Sequence, residues 1–193
     1  MLILKFGGTS VGSAKRMREV LQILRRTEGK KLVVLSAMSG TTNALVELNV
    51  LIRNNKAERV VSALTKLRQQ YLDVVHELFE NNDLYLRKSN EVIDHIFSIL
   101  QNQVLLSQRQ DVSKNVLAQG ELLSTQLFYL LAQSENISSA YLPALDFMRL
   151  NEKSEPFIEK TSSLLKPILN TINDESILQI HPRQYQYLDV QEY

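Results

Sequence analysis

Near the start of the chain a lysine, two glycines and two hydroxyl side chains stand almost in succession, as Lys5-Phe6-Gly7-Gly8-Thr9-Ser10. Lys5 lies at the end of the short apolar run Leu2 to Phe6, which reads as a buried strand. An ammonium group there is costly unless an anion partners it. Gly7-Gly8 reads as a tight turn whose backbone N–H groups stay accessible, and Thr9 and Ser10 add hydroxyl donors. The helix that follows begins with partial positive charge. Together these residues make a phosphate cradle with one fixed cation. The spacing alone fits equally well a lysine that snorkels from a strand end beside an ordinary turn. It is neither the G-x-x-x-x-G-K-[ST] loop nor the dinucleotide G-x-G-x-x-G.

A second cluster spans Ser36 to Asn43. Ser36, Ser39, Thr41 and Thr42 are hydroxyl donors suited to a carboxylate or phosphoryl group. The same residues before Ala44, Leu45 and Leu48 are also good helix N-cap chemistry, and composition favours capping. A third candidate is Gly120-Glu121. Glycine within a helical pattern costs about 1 kcal/mol relative to alanine, so a close approach is expected there. Glu121 stands among Leu117, Leu122 and Leu123, so an inward-facing carboxylate that pairs with an ammonium group competes with an exposed helix glutamate. His76, His95 and His181 have no metal-binding spacing, and no metal ligand is assigned. No G-x-S-x-G elbow occurs.

The elements that must hold these residues follow from periodicity. After the first strand, Ala14, Met17, Leu21 and Leu24 recur at helical spacing, with Gly29 closing the helix. Leu32 to Ala37 is a second apolar strand. Strand, turn, helix, strand predicts a parallel pair whose ligand loops meet at the carboxyl ends of the strands. Leu45 to Gln108 contains neither glycine nor proline. Its stripes (Val60, Leu64, Leu67, Tyr71, Val74 and Leu78, then Val92, Ile96 and Ile99) predict a helical hairpin turning at Asn81-Asn82-Asp83. A helix over about 116–133, a strand over 138–142 ended by Pro143, and a helix over 162–173 complete the pattern. The fold class is α/β, a three-layer sandwich with a mainly parallel sheet and a helical insertion over about 45–135.

Composition narrows the partners. The 193 residues carry a formal net charge of +1, with Lys and Arg spread along the chain. That argues against a nucleic-acid partner. There is no cysteine, which removes disulfides and thiolate chemistry. No segment approaches the ~20 apolar residues needed to cross a bilayer, so a cytoplasmic protein without a membrane partner is expected.

In combination these blocks resemble the aspartate kinases of the amino-acid kinase superfamily. Lys5-Phe6-Gly7-Gly8-Thr9-Ser10-Val11 is similar to their opening signature. Val33-Val34-Leu35-Ser36-Ala37 with Gly40, Thr42 and Asn43 resembles the second block, and Gln119-Gly120-Glu121-Leu122-Leu123-Ser124 the third. Phe147-Met148-Arg149 with Asn151 and Glu155-Pro156 resembles a fourth. The resemblance runs to about residue 170. It implies phosphorylation of the β-carboxylate of L-aspartate by ATP with Mg²⁺. Lys5 would contact the transferring phosphoryl group, with Phe6, Gly7, Gly8, Thr9 and Ser10 around it. Ser36 and Thr42 would lie at the aspartate site, and Glu121 would bind the substrate ammonium. A carboxylate nucleophile, with a pKa of about 4, needs no general base, in keeping with the lack of a poised histidine.

The family's later R-G-G-S-D segment, its T-D-x-x-G nucleotide region and its paired ACT domains have no counterpart here, and Gly120 is the last glycine. Residues 177–193 read as an atypical tail following an amino-acid kinase segment over 1–176. The expectation is a truncated catalytic region, inactive alone, that forms a homo-oligomer through an exposed sheet edge. Two alternatives stand beside it: a kinase of another amino-acid carboxylate, and a non-catalytic remnant that binds an amino acid or a protein. The long glycine-free middle and the Ser-Ala-x-x-Gly-x-Thr-Asn block favour aspartate.

Overall fold

The computed structural model describes residues 1–106, 113–153, 155–171 and 177–180. The chain opens with β1 (Leu2–Phe6), α1 (Ala14–Arg26) and β2 (Lys31–Leu35), and β1 and β2 pair in parallel with Lys5 opposite Val34. Helix α1 starts at Ser13, whose hydroxyl accepts from the Arg16 amide at 3.3 Å. The helix buries Ala14, Met17, Val20, Leu21 and Leu24 along one face and carries Arg25 and Arg26 in its last turn, where cations suit the helix dipole. Gly29 has φ +77°, in the left-handed region that lets the chain turn back into β2.

Four helices follow: α2 (Thr41–Arg53), α3 (Ala57–Phe79), α4 (Asp83–Leu106) and α5 (Ser113–Ser134). The turn expected at residues 81–83 separates α3 from α4, and Asn82 caps α4 by accepting from the Tyr85 amide at 3.4 Å. Arg18 of α1 donates to the carbonyls of Glu77 and Leu78, satisfying the C-terminal end of α3. The chain then forms β3 (Ser139–Leu142), the single turn α6 (Ala144–Phe147), α7 (Ile158–Thr171) and β4 (Ile177–Ile180). Helix α7 begins four residues before the predicted 162. The fourth sequence block is a local turn: Leu150 bridges Pro156, and Asn151 Nδ2 donates to Glu155 Oε2 at 3.1 Å.

The sheet order is β1-β2-β4-β3, parallel throughout. Ile177–Ile180 therefore sits between β2 and β3, so the first four residues of the segment read as a tail belong to the sheet. Side chains alternate across the strands. Val33 and Leu35 face a core built from α1 to α5, whereas Leu32 faces Leu142, Phe147 and the α7 residues Leu164, Leu165 and Ile168. Helices on both faces give the expected three-layer α/β sandwich.

The expectation of a buried first strand is corrected. β1 is an edge strand: Ile3 is 67% and Leu2 48% exposed, and Lys5 is exposed, while β2 is buried at four of its five positions. Strand order is the reason. β2 has a neighbour on each side and helices over both faces, whereas β1 has one neighbour among the described residues.

Candidate active site

The two loops predicted to meet do so. After β1 the chain makes a turn closed by the Ser10 amide on the Gly7 carbonyl at 2.9 Å. After β2, the Ser36 amide donates to the Phe6 carbonyl and the Ser39 amide to the Gly8 carbonyl, each at 3.1 Å. Only glycine fits at position 8, because a Cβ there would lie 2.7 Å from the Ala37 carbonyl oxygen. Around Gly7 the space is open, with nothing within 4 Å of such a Cβ. Among the described residues the amides of Gly7, Gly8 and Thr9 donate no backbone hydrogen bond, and Lys5 has no acidic partner. Successive amides left unpaired in a turn are the kind of backbone arrangement that can receive an anion.

The third block closes on the second loop from the other side. Gly120 of α5 lies so near α2 that a Cβ would be 2.8 Å from Thr41 Cγ2, 3.1 Å from Leu45 Cδ1 and 3.2 Å from Ala37 Cβ. This is the close approach that a glycine inside a helix implied. One turn later, Ser124 Oγ donates to the Ser36 carbonyl at 2.8 Å. Glu121 lies between these two contacts and is 8% exposed, which favours the inward-facing of its two competing readings over an exposed helix glutamate. Its carbonyl accepts from the Thr125 hydroxyl at 2.7 Å.

The capping role foreseen for the second-loop hydroxyls is corrected. The residue before α2 is Gly40, with φ +83°, and no side chain caps the helix. Thr41 turns its hydroxyl inward instead, to Tyr71 Oη of α3 at 2.9 Å, and both residues are fully buried. Burial pushes the Tyr71 phenol well above its usual range, so it stays neutral. Thr42 is exposed and Ser36 half-buried, and neither hydroxyl has a hydrogen-bond partner among the described residues. A cleft of about 450 Å³ between α2 and α3 opens beside Gly40 and Asn43, lined also by Glu47, Arg59 and Lys66.

Sequence reasoning missed Tyr71 and Ser124 as parts of the site. In sequence Tyr71 falls in an apolar helical stripe, although a tyrosine in such a stripe needs a partner for its hydroxyl. Among the described residues no three His, Asp or Glu side chains gather as a metal site, and no helix is long and apolar enough to cross a membrane. His76 and His95 are exposed, and His181 lies outside the described residues.

The amino acid kinase family model matches residues 1–181, extending the match past the expected 170. The lysine-sensitive aspartokinase 3 of Escherichia coli K12 is 26% identical over 183 residues, 88% of this chain and 38% of that protein. An aspartokinase of Chlamydia trachomatis is 35% identical over 127 residues, 65% of this chain and 26% of that protein. The crystal structure of E. coli aspartokinase III in complex with aspartate and ADP aligns with a TM-score of 0.73 at 25% identity, covering 93% of this chain and 40% of that one. This chain thus spans well under half the length of the relatives it matches. With the family match running from β1 through β4, the chain belongs to the amino acid kinase family.

Proposed function

We propose that this chain carries the carboxylate-acceptor side of an aspartate kinase site, for transfer of a phosphoryl group from ATP to the β-carboxylate of L-aspartate. The observation that carries the reading is the meeting of three segments. The Lys5–Ser10 turn, the Ser36–Thr42 loop and the Gly120–Ser124 turn of α5 are joined by hydrogen bonds of 2.8 to 3.1 Å and by glycine contacts.

In this reading Thr42 and Ser36 donate hydroxyl hydrogen bonds to the amino acid, and Glu121 accepts from its ammonium. Lys5 and the amides after it neutralise charge on the phosphoryl oxygens, which is the main task in such transfers. A β-carboxylate oxygen forms the new bond to phosphorus as the bond to the ADP oxygen breaks. The acceptor is already ionised near neutral pH, so no proton moves. MgATP, when bound, supplies the phosphoryl group. The Mg²⁺ would be held largely by the phosphates, and no residue of this chain is assigned to it. The proposal includes a cytoplasmic setting and self-association through the open outer edge of β1.

The test is ADP release by the purified 193-residue chain with L-aspartate and MgATP, run beside sedimentation. We expect L-aspartate to raise the melting temperature, the chain to sediment as an oligomer, and no ADP to be released. A monomer whose turnover disappears in Lys5→Ala would contradict the inactivity. No response to L-aspartate, with a response to L-glutamate, would reassign the acceptor.

A further inference from the structure

We propose that Tyr71 is a positioning residue for the second loop, acting from α3 through its hydrogen bond to Thr41. The inference rests on the aspartate reading only for its ligand, because the restraint itself is a matter of geometry. Helix α1 has a local anchor in the Ser13 hydroxyl three residues before Arg16. Helix α2 has none: Gly40 brings no side chain, and the turn into the helix depends on the Thr41 amide reaching the Met38 carbonyl at 3.0 Å.

Thr41 is gripped instead from two remote elements. Its hydroxyl meets Tyr71, thirty positions later in sequence, and its methyl meets the bare backbone of Gly120 on α5. Thr42, the exposed hydroxyl assigned to the acceptor, is the next residue. A methyl contact restrains distance only, whereas a hydrogen bond also restrains direction. Tyr71 therefore sets the rotation of the first turn of α2, and with it the aim of Thr42.

A purely structural role is separable from positioning. Tyr71→Phe leaves the buried Thr41 hydroxyl without a partner, and Thr41→Val does the same to the phenol, so each single change lowers the melting temperature. Replacing both partners by apolar groups of similar shape removes that penalty. The double variant Tyr71→Phe/Thr41→Val is expected to recover the wild-type melting temperature. It should still exchange the Thr41 and Ala44 amides about tenfold faster, measured against the Met17 amide of α1, and bind L-aspartate about tenfold more weakly. Exchange at Thr41 and Ala44 equal to wild type in the double variant overturns the proposal. If the wild-type chain binds no L-aspartate, the acceptor reading fails, and the exchange measurement still decides whether Tyr71 positions the loop.

Discussion

The two loops that meet at the strand ends are built on opposite plans. The first, after an exposed edge strand, leaves Lys5 without an acidic partner and the amides of Gly7, Gly8 and Thr9 without a backbone acceptor among the described residues. The second, after a buried strand, is tied at three residues: Ser36 to Phe6 and Ser124, Ser39 to Gly8, Thr41 to Met38 and Tyr71. Unspent donors suit a ligand that arrives with negative charge. A braced loop suits a ligand whose orientation must be held before the chemistry begins. The contrast is in keeping with the proposed division, in which the first loop handles phosphate and the second aligns the acceptor.

Gly8 is where the two plans touch, and it offers the largest break. The Gly8→Ala Cβ collides with a backbone carbonyl that cannot rotate away, so a loss of about 1–3 kcal/mol is expected by chemical denaturation. Gly120→Ala meets side-chain atoms of Thr41, Leu45 and Ala37, and its overpacking is partly offset by better helix propensity. About 1 kcal/mol of net destabilisation should remain.

Alkaline titration probes the buried phenols of Tyr71 and Tyr141. Burial raises both above the free value of 10.0; for Tyr141 the nearby Asp146 adds a smaller push in the same direction. The neutral form is favoured in the fold, so this stability is intact below about pH 10 and is lost as pH climbs beyond it. Denaturation midpoints should fall above about pH 10, and less steeply in Tyr71→Phe. On the open side, Gly7→Ala and Lys5→Ala should each change stability by less than about 0.5 kcal/mol, since neither disturbs a packed contact. A large loss in either would show that the first loop is braced after all.

What the sequence made legible was local. The β1–turn–α1–β2 unit, the turn at residues 81–83 and the glycine of α5 each announce themselves within a few residues, through periodicity or breaker chemistry. What it hid was set by distant pairing. β1 looks like β2 as a string of apolar residues, and only the insertion of β4 between β2 and β3 makes one an edge and the other central. Thr41 reads as a cap because capping is the local option. Tyr71, remote in sequence, offered its hydroxyl a buried partner and won. The inward face of Glu121 was half legible, from its leucine neighbours, although its junction with Ser36 through Ser124 was not.

Whether the braced loop and Glu121 hold an amino-acid acceptor is decided by calorimetric titration of L-aspartate into the wild-type chain and Glu121→Gln. Glutamine keeps the shape of the buried side chain and removes the charge that would face the ammonium. Saturable binding to wild type is expected, weakened about tenfold or more in a Glu121→Gln variant of unchanged helical content. Equal binding by the two proteins would contradict that role for Glu121.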